Sequence, residues 1–363
     1  MTWTPIGALI WWRWNWTNLA SCCAASIFPT PCWGGEWWKV CKWQVASGKW
    51  QVASDDLQLA TGNRPLLVLV GATAVGKTAL SLALAQQFNG EIISADSRLF
   101  YRGMDIGTAK PTLAERTAVP HHLIDICNPD ETLSLGAYQK LAYQTINEVQ
   151  GHGRLPILVG GTGQYVKAVI EGWGIPAVAP QPALREVLSG LDGEELARWL
   201  RTLDPASQID PRNTRRVIRA LEVTLVSGVP ISVLQRKSPP PYTIKVIGLY
   251  RERAAHYARI DARVDEMMAA GLLAELEGLR AAGYGRALPA MSGLGYQQLW
   301  AYLDGKMALD TAVERIKFET HRFARHQAAW FRRDDPTISW FDAAQSDVGT
   351  AVAEQVVAWL SEW

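Results

Sequence analysis

The segment that most constrains this chain is Gly71-Ala-Thr-Ala-Val-Gly76-Lys77-Thr78, set between two runs of opposite character. Before it, Leu66-Leu-Val-Leu-Val70 is continuously aliphatic and bounded by Pro65 and Gly71, the pattern of a strand buried on both faces. After it, Thr78 through Phe88 reads as a helix with Leu80, Leu82, Leu84 and Ala85 among small residues. Strand, G-x-x-x-x-G-K-T and helix thus come in the order a phosphate-binding loop needs. Gly71 and Gly76 permit the backbone angles that turn successive N–H groups inward at a helix N-terminus, making a nest for an anion. Lys77 adds a point charge for the terminal phosphate, and the Thr78 hydroxyl is a ligand for Mg²⁺. The spacer residues Ala72, Thr73, Ala74 and Val75 complete the loop. Such a loop serves kinases, NTPases and some transferases alike, so it fixes the site and leaves the reaction open.

A carboxylate follows at the right place. Glu91-Ile-Ile-Ser-Ala-Asp96 reads as a second short strand, and ligands of doubly wound sheets gather outside the carboxyl ends of the strands. Asp96 there is either a proton acceptor for an attacking nucleophile or an ordinary turn aspartate. The run from Asp96 through Ser97, Arg98 and Leu99 to Lys110-Pro111 mixes charge, small residues and aromatics with neither structural period, which marks a binding loop.

Composition bounds the rest. The 363 residues, 48% hydrophobic and 20% charged, belong to a globular chain whose formal net charge is only +1. A nucleic-acid surface must therefore come from local clusters. Two are present: Arg212, Arg215, Arg216 and Arg219, then Arg315, Lys317, Arg322, Arg325, Arg332 and Arg333, with Tyr296, Phe323, Trp330 and Phe331 as aromatic faces for stacking. No apolar run reaches the length of a bilayer span. Cys127 is the sole cysteine after residue 41, as in a reduced, cytoplasmic protein.

Residues 1–63 read differently. They hold ten of the 17 tryptophans and a tandem repeat, Lys42-Trp-Gln-Val-Ala-Ser-Gly then Lys49-Trp-Gln-Val-Ala-Ser-Asp. Cys22, Cys23, Cys32 and Cys41 lack paired metal-ligand spacing, and the segment reads as a disordered or spurious extension. Residues 64–173 form the first part of an α/β core, and 174–241 turn helical and proline-flanked, as an inserted helical subdomain. Residues 242–345 complete the core and add further helices, and 346–363 form a C-terminal helix. The expected fold is α/β: a P-loop NTPase-like parallel sheet, helices on both faces, and an all-helical insert.

The loop 71–78, the runs Ser94-Ala-Asp-Ser-Arg98 and Tyr101-Arg-Gly-Met-Asp-Ile-Gly-Thr-Ala-Lys-Pro111, and Pro120-His-His-Leu-Ile-Asp125 together resemble the tRNA dimethylallyltransferases. So do Leu158-Val-Gly-Gly-Thr-Gly163, Arg219-Ala-Leu-Glu-Val223 and Gly293-Leu-Gly-Tyr296, in order over about residues 64 to 342. The resemblance implies transfer of a dimethylallyl group from dimethylallyl diphosphate, with Mg²⁺, to N6 of adenosine 37 in the anticodon stem-loop of tRNAs reading codons that begin with U. It assigns Asp96 as general base, with Thr73 and Arg263 on the diphosphate and Arg259 less firmly there. It places Asp96 through Leu99, Thr162, Arg215, Arg216, Arg219, Gly295, Tyr296, Arg322 and Arg325 on the tRNA, makes 174–241 a tRNA-binding insert and gives 242–345 tRNA-contacting helices, and it implies a cytoplasmic monomer. Ala72 and Val75 stand where the family usually has Pro and Ser, and Gln164 where relatives often carry an aliphatic residue. A nucleoside or small-molecule kinase shares the loop and base but leaves both arginine clusters unexplained. An adenylate isopentenyltransferase shares the chemistry on a free nucleotide, and a non-enzymatic P-loop RNA binder leaves Asp96 without a role.

Overall fold

The computed structural model describes residues 64–362, so the reading of residues 1–63 lies outside the described residues. Six strands, β1 (Pro65–Gly71), β2 (Gly90–Ser94), β3 (His121–His122), β4 (Leu155–Gly160), β5 (Thr243–Tyr250) and β6 (Ile338–Asp342), form one sheet. Its order is β3-β2-β4-β1-β5-β6, and every pairing is parallel. All residues of β1 are buried, because the strand lies near the middle with helices above and below.

Strand alternation divides its side chains. Leu67 and Leu69 point to one layer, with α1 (Lys77–Gln87) and the closing helix α13 (Val348–Ser361). Leu66, Val68 and Val70 point to the other, with α3 (Leu135–Gly151) and α4 (Gly163–Ile170). The expected α/β sheet covered on both faces is what forms. The short helix α2 (Leu113–Ala118) opens with a capping box between Thr112 and Glu115.

Between α4 and β5 the regular elements are all helices: α5 (Pro182–Ser189), α6 (Gly193–Leu203), α7 (Thr214–Ser227) and α8 (Ile231–Leu234). These helices bury their own core of Leu188, Leu196, Leu200, Val217, Leu221 and Ile231. Asp192 caps α6 through the N–H groups of Glu194 and Glu195, and Gly228, at φ 69°, ends α7 in the left-handed conformation. A third apolar cluster joins α9 (Arg253–Ala269), α10 (Leu272–Ala281), α11 (Tyr296–Leu303) and α12 (Leu309–Ala328). These four helices follow β5, so the strand order sets them beside the loop that leaves β1.

Candidate active site at the phosphate-binding loop

The loop leaves β1 at Gly71, where φ is 150° and an added Cβ would stand 2.7 Å from the Leu249 carbonyl oxygen of β5. Only glycine fits so close a neighbour. The chain then turns through Ala74, at φ 59°, and enters α1 at Gly76. Lys77 folds back over the loop and donates to the carbonyls of Gly71 and Ala72, both at 2.9 Å. Burial pushes its pKa down to about 8, against the upward pull of the nearby Asp96 charge. The Thr78 side chain is exposed, and its hydroxyl has no hydrogen-bond partner among the described residues.

Three consecutive loop carbonyls point outward and are taken by side chains from the segment after β5. His256 Nε2 meets the Thr73 oxygen at 2.8 Å, Arg259 Nε the Ala74 oxygen at 2.9 Å, and Arg251 Nε the Val75 oxygen at 3.1 Å. The Thr73 N–H donates to Gln327 Oε1 of α12 at 2.8 Å. Of these four residues, Arg259 alone figures in the sequence reading. The signal that finds the others is positional: Arg251 and His256 follow the strand paired with β1.

Asp96 lies two residues beyond β2. Its Oδ1 accepts the Arg98 N–H at 3.0 Å, so the carboxylate shapes its own turn as well as facing the site. Asp96, Thr73, Arg263 and Arg98 line one cavity of about 420 Å³ beside the loop. Burial lowers the Arg263 pKa, and the charge of Asp96 opposes that shift. Arg322, Phe323 and His326 of α12 line the same cavity, with Gly295 and Tyr296. Val264, Met267, Leu272 and Leu294 supply an apolar stretch of its wall.

Other expected site residues stand elsewhere. Ser97 and Leu99 are partly buried in the turn after Asp96, and Thr162 is the N-cap residue of α4. Gln164 is exposed and disturbs no core packing. Arg325 reaches the Tyr257 hydroxyl at 3.0 Å, and Arg215 and Arg216 stand exposed on α7.

Four expectations need correction. Arg219 is not a free phosphate-tracking arginine: it donates to Glu222 and to the Val178 carbonyl, inside the helical insert. Arg212 is paired with Asp210 at 2.9 Å. Lys317 pairs with Asp265 of α9 at 2.9 Å, so its surroundings are less basic than the local sequence suggests. Tyr296 and Phe331, 1% and 4% exposed, are packing residues and offer no open ring to a base. The Tyr296 ring fills the space where Gly107 lacks a side chain, since a Cβ there would stand 2.6 Å from it. Phe323 and Trp330, by contrast, are 40% and 38% exposed and remain available for stacking.

The model of the IPP transferase family matches residues 99–334. The tRNA dimethylallyltransferase of Roseiflexus sp. is 54% identical over 302 residues, covering 82% of this chain and 99% of that protein. The chain belongs to the IPP transferase family. The tRNA dimethylallyltransferase of Herpetosiphon aurantiacus is 53% identical over 298 residues, covering 80% of this chain and 94% of its own. Among solved structures, the tRNA isopentenylpyrophosphate transferase of Bacillus halodurans is 39% identical with a TM-score of 0.64, covering 83% of this chain and 98% of that one. A eukaryotic dimethylallyltransferase acting on tRNA superposes with a TM-score of 0.71 at 26% identity, covering 82% of this chain and 78% of that one.

Proposed function

We propose that this member of the family transfers the dimethylallyl group of dimethylallyl diphosphate to N6 of adenosine 37 in the anticodon loop of tRNAs reading codons that begin with U. The observation that carries the reading is the convergence of Thr73, Asp96 and Arg263 on one cavity beside a phosphate-binding loop. Family membership makes prenyl transfer the reaction to test against that geometry.

In this reading the diphosphate lies in the nest of loop amides, with Lys77 and Arg263 as its cations and Thr73 touching it from the loop. The apolar stretch of the cavity wall receives the five-carbon chain. The adenine N6 attacks C1 of the dimethylallyl group, the C1–O bond breaks, and its electron pair leaves on the diphosphate. Asp96 takes the proton that N6 sheds. Charge grows on the diphosphate as the bond breaks, so fixed cations around it lower the barrier. The exposed Thr78 hydroxyl, without a hydrogen-bond partner among the described residues, would be one ligand for a Mg²⁺ ion. When bound, that ion would neutralise part of the leaving-group charge.

The adenine must leave its stack to reach a walled cavity. Arg322 and the half-exposed Phe323 supply charge and a ring face in the cavity, with the half-exposed Trp330 packed on Gly163 as a further ring and Arg215 and Arg216 extending the contact onto the insert. The same reading makes the protein a cytoplasmic monomer. Incubation with labelled dimethylallyl diphosphate, and either unmodified tRNA or AMP, tests it. Label should enter tRNA at adenosine 37; label on AMP and never on tRNA sinks the proposal, and ATP hydrolysis without transfer assigns the loop to a kinase.

A further inference from the structure

Thr73 is held at both of its main-chain polar groups by side chains from outside the loop. Its N–H donates to Gln327 Oε1 and its carbonyl accepts from His256 Nε2, each at 2.8 Å. Gln327 is 5% exposed and comes from a helix 254 residues further along the chain. Its other amide atom, Nε2, rests against Gly161, only 2.5 Å from where a Cβ at that position would stand. The second glycine of the Gly160-Gly161-Thr162 segment thus makes room for this glutamine. Burying an amide side chain against a glycine, with its oxygen aimed at one loop N–H, fixes that N–H in place.

With its amide spent on Gln327, Thr73 is left its hydroxyl to meet an anion in the cavity it lines. The direction of that hydroxyl follows from the backbone, which the two side chains set from opposite ends. Gln327 also sits one helical turn beyond Phe323, which lines the cavity on the same helix. We infer that Gln327 and His256 are positioning residues for prenyl transfer, aiming the Thr73 hydroxyl at the donor diphosphate. The inference rests on the proposed function and adds two residues to it.

The test is a mutant cycle through Thr73. Gln327→Met keeps length and bulk but removes the acceptor. It should lower kcat/KM for the donor about tenfold, the effect of one positioned hydrogen bond, while the KM for tRNA moves less than about twofold. In a Thr73→Ala background the same change should cost less than about twofold, because the hydroxyl it positions is gone. His256→Gln keeps an N–H of similar reach and should stay within about threefold of the parent, whereas His256→Leu should lose about tenfold. Equal losses from Gln327→Met with and without Thr73→Ala overturn the inference, as do equal losses from the two His256 variants. Should Gln327→Met fail to fold, the His256 pair, repeated with Thr73→Ala, carries the same comparison. Calorimetric binding of inorganic diphosphate separates the two failures. If diphosphate affinity follows the cycle but no form labels tRNA, the positioning stands and the assigned reaction falls.

Discussion

Glu275 offers the sharpest test of how the cavity wall is built. Its carboxylate accepts four hydrogen bonds: from the N–H groups of Asp105 at 2.8 Å, Ile106 at 2.7 Å and Gly107 at 3.1 Å, and from the Tyr296 hydroxyl at 2.6 Å. Gly107, Thr108 and Tyr296 line the cavity, so one side chain of α10 pins the wall that faces Asp96. Burial, then the carboxylate beside it, push the Tyr296 phenol far above its ordinary range, and it stays a donor at every working pH. Consider Glu275→Gln. A bond to a charged acceptor contributes about 1.5–3 kcal/mol and a neutral one about 0.5–1.5, so neutralising four contacts loses on the order of 1 kcal/mol each. The amide nitrogen placed at Oε1 can still donate to the Tyr296 oxygen if that hydroxyl turns away, but it leaves the Gly107 N–H without an acceptor. Water reaching the partly exposed loop offsets some of this, and a net cost of about 3 kcal/mol is expected.

Tyr296→Phe removes one donor and leaves three amides on an intact carboxylate, so it should cost about 1 kcal/mol. The double variant should cost less than the sum, because both changes remove the same phenol contact. Urea unfolding followed by circular dichroism gives the three free energies, and transfer assays should show kcat falling as the wall loosens. A Glu275→Gln protein within about 0.5 kcal/mol of the parent refutes the reasoning. So does a Tyr296→Phe cost as large as that of Glu275→Gln.

Further outcomes follow from the site and the insert. Lys77, lowered by burial to about 8 from 10.5, is largely neutral at pH 9 in the free protein, so diphosphate binding there should take up close to one proton; calorimetry in two buffers of different ionisation enthalpy measures this, and Lys77→Met should abolish it. The same depressed pKa means the charged lysine costs folded stability below pH 8, a cost relieved as pH rises from about 8 to 10.5. Asp96→Asn should lower kcat by about 10²–10⁴ with the thermal midpoint nearly unchanged, as loss of the proposed general base requires. Arg215→Gln and Arg216→Gln should each reduce the salt dependence of tRNA binding by about one unit of slope. Arg219→Gln should leave that slope unchanged and instead weaken the insert, because Glu222 then keeps Arg185 as its only arginine.

The difference between Arg215 and Arg219 shows where sequence reading stops. An arginine run free of acids between 211 and 221 looks like a phosphate track, but Glu222 stands one residue outside that window and one helical turn from Arg219. Glu222 is fully buried; burial alone would raise its pKa, yet hydrogen bonds from Arg185, the Gln181 N–H and Arg219 pull it down to about 2. Tyr296 misleads for a related reason. Gly293-Leu-Gly-Tyr296 looks like a binding motif, and its tyrosine proves to be the filler for the missing side chain of Gly107, far away in sequence. By contrast, β1, the loop and α1 are legible because the signals are local: an aliphatic run, two glycines of fixed spacing and a helix that follows at once. β3 gives no such signal, since two residues cannot show a period. Arg251, His256 and Gln327 are invisible until the strand order and the packing of α12 place them against the loop.

Those three residues, with Arg259, bear on how a nucleotide-type loop would serve the departing diphosphate of the proposed reaction. Each carbonyl from Thr73 to Val75 is tied outward to a side chain that is, or can become, a cation. With the Thr73 N–H held by Gln327 as well, these ties fix the loop backbone before any anion arrives. Desolvation of Lys77 adds a group whose charge strengthens when an anion enters, since a neighbouring negative charge raises a lysine pKa. Prenyl transfer creates negative charge at a leaving group that must stay still while its carbon partner moves away. A loop that had to rearrange as that charge developed would spend part of its interaction energy on the rearrangement. One already fixed by ties from two outside helices and the end of β5 applies its full field as the bond breaks, which is the condition for electrostatic preorganisation to lower a barrier.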